Sequence, residues 1–201
     1  MTDANPAVSR GQFIKNTTKA VSSSSAPAAC SLRWMEWLSL RVRPRATSLR
    51  VAYIAESLAV VVYSAIIKNF SSFKGLQNKD YFVAALKNEK DHKAFLASAL
   101  GAKKPSGFKL HIPKAAVKST KALTSTGVAL ESAFVETYLG AVNTLSSTEL
   151  KLTAAKVAAN EASHFSFFDA ANGGHGVLPS LPGTITAKTA AATLTKDGFI
   201  S

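Results

Sequence analysis

Glu161-Ala162-Ser163-His164 and Glu89-Lys90-Asp91-His92 are the two stretches on which the reading of this chain turns. Residues three apart on a helix share a face, so each stretch points a carboxylate and an imidazole in one direction. The 201 residues contain seven glutamates and four histidines, and chance would supply roughly 0.14 pairs at this spacing. Two such pairs, each inside a long apolar-periodic segment, form a pattern that composition does not explain.

Two further segments match each other. Glu56 stands seven residues before Tyr63, and Glu131 stands seven before Tyr138. Seven residues make almost two helical turns, so glutamate and tyrosine stack along one stripe. The chain thus reads as a repeat: a Glu-x6-Tyr helix followed by a Glu-x-x-His helix, with 33 residues from Glu56 to Glu89 and 30 from Glu131 to Glu161. An internal duplication is the simplest account. Glu136 is the rival carboxylate in the third segment, but it lies five residues beyond Glu131, about 140° around the helix.

Hydrophobic period and breakers set the expected elements. The first segment, Thr47 to about Asn69, is apolar over much of its surface and reads as a central helix of roughly 35 Å. The second opens at Asn78-Lys79-Asp80, where Asp80 can cap free amides, and runs to Leu100 before Gly101. Some 20 residues with Pro105, Gly107 and Pro113 then separate the two pairs, a connection long enough to cross a bundle. The third segment runs from Val117 or Ser125 to Leu145, with Gly127 softening its start, and the fourth from Ser147-Thr148-Glu149 through Phe168. Thr184 to Thr195 closes the chain as a short alanine-rich helix. The fold class is therefore all-α, a four-helix bundle with a long crossover between the second and third helices and a short C-terminal helix.

This arrangement resembles the ferritin-like superfamily of di-iron and di-manganese carboxylate proteins, in which two helices give one Glu each and two give Glu-x-x-His. Ala55-Glu56-Ser57-Leu58 with Tyr63, Glu131-Ser132-Ala133-Phe134 with Tyr138-Leu139-Gly140-Ala141, and Ala159-Asn160-Glu161-Ala162-Ser163-His164 are similar to its bacterial branch of ferritin-like, desiccation-related proteins. The resemblance covers about Thr47 to Ser201. It implies that Glu89 and Glu161 bridge two metal ions, that Glu56 and Glu131 bind one ion each, and that His92 and His164 complete the shells, with two iron ions or, alternatively, two manganese ions as cofactors. Tyr63 and Tyr138 are candidates to stand behind the ligands, against the commoner role of core aromatics. Glu136 is the alternative ligand.

Physical chemistry agrees with that expectation. Four carboxylates in one bundle core repel unless cations neutralise them, and an unpaired buried charge is very costly. Hard oxygen donors with two imidazoles favour iron or manganese over the sulfur-rich surroundings of structural zinc. His111 and His175 lie beside loop breakers, where surface roles are expected, and Asp91 and Asp169 are expected on the exterior.

The remaining composition bounds the partners. Apolar residues make up 47% of the chain and charged ones 18%, the balance of a folded domain. No stretch approaches the roughly 20 uncharged apolar residues of a membrane span. The net charge of +12 divides evenly after residue 50, and all six arginines lie in the first 50 residues; scattered lysines without interleaved aromatics read as a solvated surface and not as a nucleic-acid site. Metal ions and a small-molecule oxidant are the expected partners, and homo-oligomers are compatible with the bundle. Cys30 stands alone, so no internal disulfide forms.

Residues 1–46 read as a leader or disordered basic extension, and 47–201 as the bundle domain. Ser9-Arg10-Gly11-Gln12-Phe13-Ile14-Lys15 resembles a twin-arginine export signal with Gly11 in place of the second arginine. An organellar transit peptide and a non-functional extension, which would leave the protein cytoplasmic, stand beside it. Function is expected in one of two classes: Fe(II) oxidation or oxygen and peroxide consumption in iron handling and oxidative stress, or a non-catalytic bundle that binds partners or lends structure under stress. A shortened first helix would carry Glu56 away from the site and leave an inactive product.

Overall fold

The structure, a computed structural model, describes residues 44–201, with side chains from residue 47 onward. The leader readings and Cys30 lie outside the described residues. Among these, the chain forms five α-helices and no strand: α1 Pro44–Lys68, α2 Lys79–Leu100, α3 Thr120–Thr144, α4 Thr148–Ala171 and α5 Ala187–Lys196. The expected all-α bundle with a long crossover and a closing helix is the observed one.

Helix α1 opens at Pro44, whose fixed φ and missing N–H suit a first helical position. That is three residues earlier than the apolar period suggests, so the helix is not shortened and Glu56 sits well inside it. Val51 through Ala59 are buried without interruption, because α1 is packed by α2 and α3 and also by α5. By length and composition Thr47–Lys68 is long and apolar enough to cross a membrane, which corrects the expectation that no segment approaches such a span. Within the bundle, 67% of its apolar window is buried inside the protein, the state of a central core helix that is apolar all round.

Helices α1 and α2 pair as one hairpin and α3 and α4 as another. The start of α2 differs from expectation. Asn78 takes a left-handed conformation at φ 60° and makes no side-chain cap, and Asp80 lies inside the first turn, where its charge suits the helix dipole without capping. The later helices are capped by hydroxyls: Ser119 accepts from the Ala122 amide at 3.1 Å, Ser147 from Leu150 at 3.4 Å and Thr186 from Thr189 at 3.1 Å. These bonds satisfy amides that a helix start leaves free.

The crossover is tied down by the chain's last residues. Leu110 and Ile200 form an isolated antiparallel bridge, with Lys109 and Ser201 exchanging backbone hydrogen bonds at 2.9 and 3.1 Å and the His111 amide donating to the Phe199 carbonyl at 2.8 Å. His111 also reaches the Ser201 hydroxyl at 2.7 Å, so its role here is structural. Gly127, read from sequence as a soft start to the third helix, is a packing residue instead: a Cβ there would stand 2.3 Å from the Phe168 ring, so only glycine lets α3 and α4 close around that ring.

Candidate metal centre

The six side chains singled out by spacing converge in the middle of the bundle. Glu56, Glu89, Glu131 and Glu161 are no more than 2% exposed, one from each long helix. His92 Nδ1 lies 3.0 Å from Glu161 Oε1, 3.4 Å from Glu56 Oε2 and 3.7 Å from Glu89 Oε2. His164 Nδ1 lies 2.8 Å from Glu89 Oε1, 3.0 Å from Glu161 Oε2 and 3.9 Å from Glu131 Oε2.

Two overlapping groups result. Glu56, Glu89, His92 and Glu161 form one, and Glu89, Glu131, Glu161 and His164 the other, with the ligand atoms in each no more than 4.8 Å apart. Opposite oxygen or nitrogen ligands of one ion stand about 4 Å apart, so each group has the span of a single metal position. Glu89 and Glu161 belong to both. A two-fold relation between the hairpins therefore exchanges Glu56 with Glu131, Glu89 with Glu161 and His92 with His164.

The tyrosines obey the same relation in crossed fashion. The Tyr63 hydroxyl on α1 donates to Glu131 Oε1 on α3 at 2.8 Å, and the Tyr138 hydroxyl on α3 donates to Glu56 Oε1 on α1. Each holds one oxygen of a carboxylate that belongs to a single group, so both do more than fill the core. Burial and the neighbouring carboxylates push both phenols well above their ordinary titration range. They stay protonated and keep donating.

Charge is the unresolved quantity of this cluster. Desolvation and the charges of Glu161 and Glu89 raise the carboxyls of Glu56 and Glu131 well above the usual range. Burial opposes ionisation of Glu89 too, but the two imidazoles outweigh it and bring its pKa to about 2. The same carboxylates overcome burial at the histidines, raising His92 to about 12 and His164 to about 9. Even so, Glu56 Oε2, both oxygens of Glu89, His92 Nδ1, Glu131 Oε2 and Glu161 Oε1 are buried without a hydrogen bond. His92 Nδ1 is close to three carboxylates yet aligned for a bond with none of them. Buried polar atoms are rarely left so, and orphaned oxygens and a ring nitrogen turned toward one another form a donor set that fits cations.

Glu136 does not join them. It is half-buried, and its carboxylate lies by the Gly183 loop, where a Cβ on that glycine would meet Oε1 at 3.2 Å. Asp91 is exposed and pairs with Lys87 at 2.6 Å, whereas Asp169 is half-buried and accepts the Gly176 amide at 2.9 Å, so only the first is the exterior acid that was expected. Sequence reasoning missed Asn88, whose Nδ2 lies 3.5 Å from His164 Nε2, and Tyr81, whose ring stands edge-on to His164 at 6.4 Å. A signal for Asn88 was present: both motifs read Asn-Glu-x-x-His, with Asn160 before Glu161.

Comparison with known families agrees with this geometry, for the ferritin-like domain matches residues 45–174. The chain belongs to the ferritin-like domain family. No curated protein matches it. The match spans the four long helices that carry the cluster and stops before α5. In this member of the ferritin-like family, the carboxylate and histidine groups could bind metal.

Proposed function

We propose that this chain is a di-metal redox protein. It would hold two iron ions, or in a close variant two manganese ions, and oxidise Fe(II) or consume oxygen or peroxide in iron handling or protection from oxidative stress. The observation that carries this reading is the set of buried, unbonded donor atoms on Glu56, Glu89, His92, Glu131 and Glu161. Glu89 and Glu161 would bridge, Glu56 and His92 would complete one position, and Glu131 and His164 the other.

Bound ions of this class supply redox chemistry and Lewis acidity. The chain's residues supply the setting. Tyr63 and Tyr138 each fix one carboxylate oxygen and leave the other free to face the cluster. Burial excludes bulk water and strengthens every electrostatic interaction inside. Oxygen-rich donors with two imidazoles suit iron and manganese better than they suit a structural zinc site. Two divalent charges would offset the four carboxylates with both imidazoles neutral.

Elemental analysis of the purified protein, followed by ferrous oxidation and peroxide consumption assays, tests the proposal. The expected result is two ions per chain and turnover that is lost in Glu89→Ala while the helical fold persists. A metal-free wild type of equal stability would instead support a non-catalytic, stress-related bundle. Export through residues 1–46 is part of the same proposal, and fractionation of the tagged chain between cytoplasm and envelope tests it.

A further inference from the structure

The repeat that places the ligands also permits a position-by-position comparison of what surrounds them. Seven residues before Glu89 stands Phe82, with Tyr81 beside it; seven before Glu161 stands Ala154, with Thr153 beside it. Three and four residues after His164 come Phe167 and Phe168, and after His92 come Phe95 and Leu96. The two-fold relation thus matches Tyr81, Phe82, Phe167 and Phe168 around His164 to Thr153, Ala154, Phe95 and Leu96 around His92.

Around His164 the four aromatics form a plug. Tyr81 and Phe167 stack at 3.7 Å, Phe82 lies 5.2 Å from Phe167 and 5.8 Å from Phe168, and Tyr63 closes against Phe82, Phe168 and His164 at 6.2, 5.8 and 5.6 Å between ring centroids. The His164 side chain is 2% exposed. Around His92 three of the four matching residues, Thr153, Ala154 and Leu96, are smaller, Phe95 keeps the size of Phe167, and the four line a cavity. Phe95, Leu96, Thr153 and Ala154 all border it, together with His92 and Tyr138, and the His92 side chain is 13% exposed.

We propose that this cavity is a one-sided antechamber that admits a neutral, apolar molecule of two or three atoms to the His92 half of the cluster, while the aromatic plug closes the His164 half. Its commitment to that class of guest follows from its lining and size. The walls are aliphatic or aromatic apart from Thr153, Ser48, His92 and the Tyr138 hydroxyl, and that hydroxyl is already spent on Glu56. Its free volume is about 20 Å³, somewhat more than the roughly 10–15 Å³ that holds one water. A hydrated cation would forfeit its shell against such walls; a small apolar molecule forfeits nothing. Two replacements make the space, Ala154 for Phe82 and Leu96 for Phe168. The functional meaning of the antechamber rests on the di-metal reading; its existence does not.

Xenon is the probe, because it is neutral, apolar and binds dry cavities without needing a metal. Metal-free protein is equilibrated with xenon and followed by methyl shifts or in pressurised crystals. Wild type is expected to bind xenon beside Leu96 and Ala154, Ala154→Phe to lose that site by rebuilding the plug, and Phe82→Ala to open a second site beside His164. If Ala154→Phe does not fold, Thr153→Tyr with Ala154→Leu takes its place. Xenon absent from folded wild type, or undiminished in a folded filled variant, overturns the antechamber. Metal titration of the same samples reports separately: failure to bind metal defeats the di-metal reading and leaves the xenon result standing, and loss of the xenon site with two ions bound defeats only the one-sided access.

Discussion

The hairpin of α1 and α2 and the hairpin of α3 and α4 present the same donors in the same order, yet they are packed by different means. Glu56 and Glu131 each accept a tyrosine from the opposite hairpin, and both Glu-x-x-His pairs face inward. Beyond the donors the likeness fades. Gly127 stands four residues before Glu131, and Ala52 four before Glu56; aromatic rings crowd one side of the site, and on the other Thr153, Ala154 and Leu96 stand where that side has Tyr81, Phe82 and Phe168. The lesson is that electrostatics restricts the donors far more tightly than packing restricts their neighbours. Moving one carboxylate out of the cluster leaves buried charge uncompensated, whereas a ring can be exchanged for smaller groups if the space is filled or left dry.

The largest effect expected from breaking this comparison comes from separating shared donors from unshared ones. Glu89→Gln removes a residue that both groups use, so binding of both ions should fail. Glu56→Gln touches one group only and should leave the Glu131 and His164 position able to bind. Metal stoichiometry by mass spectrometry, on variants whose helical content matches wild type, distinguishes them. Equal losses in the two variants would mean that the halves do not share carboxylates as the geometry implies.

Acid should weaken binding in both halves. In the metal-free protein His164 and His92 hold protons up to about 9 and about 12, and Glu56 and Glu131 titrate above their usual range. A metal needs all four deprotonated. Affinity therefore rises with pH through and above neutrality, and binding releases protons. Calorimetry in buffers of differing ionisation enthalpy measures that release; a buffer-independent heat would contradict it.

Next in size is the effect of the crossed tyrosines. Tyr63→Phe and Tyr138→Phe each remove one donor to a terminal carboxylate, and loss of such a supporting bond typically costs about 10–100-fold in metal affinity. The two substitutions should weaken opposite positions: Tyr63→Phe the one served by Glu131, Tyr138→Phe the one served by Glu56. Sequential titration of the two ions in each variant checks this.

The donors were legible in the sequence because their chemistry demands particular residue types at helical spacing, and those spacings survive translation into contacts. Glu56, Glu89, His92, Glu131, Glu161 and His164, the side chains that meet in the cluster, were all picked out that way, as were the helices to within a few residues. Crossed pairing of the tyrosines was not legible, since a stripe shows which residues share a face and not which facing helix they reach. The role of Gly127 was hidden for the same reason: nothing in α3 announces that Phe168 of α4 needs the space. Asp80 looked like a cap, but the turn at Asn78 set the helix start one step earlier.

That glycine supplies a smaller test of the packing difference. Gly127→Ala would set a Cβ 2.3 Å from the Phe168 ring, and overpacking of this kind costs about 1–3 kcal/mol. The reverse exchange at the matched position, Ala52→Gly, loses only helix propensity and a buried methyl, about 1–2 kcal/mol. Both follow from urea melts of metal-free protein. The ranking would be upset by a Gly127→Ala variant as stable as wild type.

The smallest effect lies between the two donors of a single motif. Asp91 sits inside Glu89-x-x-His92, where the other hairpin has Ser163, and its carboxylate is exposed and paired with Lys87. An exposed pair four residues apart contributes about 0.3–0.5 kcal/mol, so Asp91→Ser should shift stability by no more than that. Because Asp91 faces solvent while Glu89 and His92 face the cluster, the same variant should bind metal with unchanged stoichiometry and affinity. A drop in either would show that the acid between the donors acts on the site, and that the two motifs differ in more than their packing.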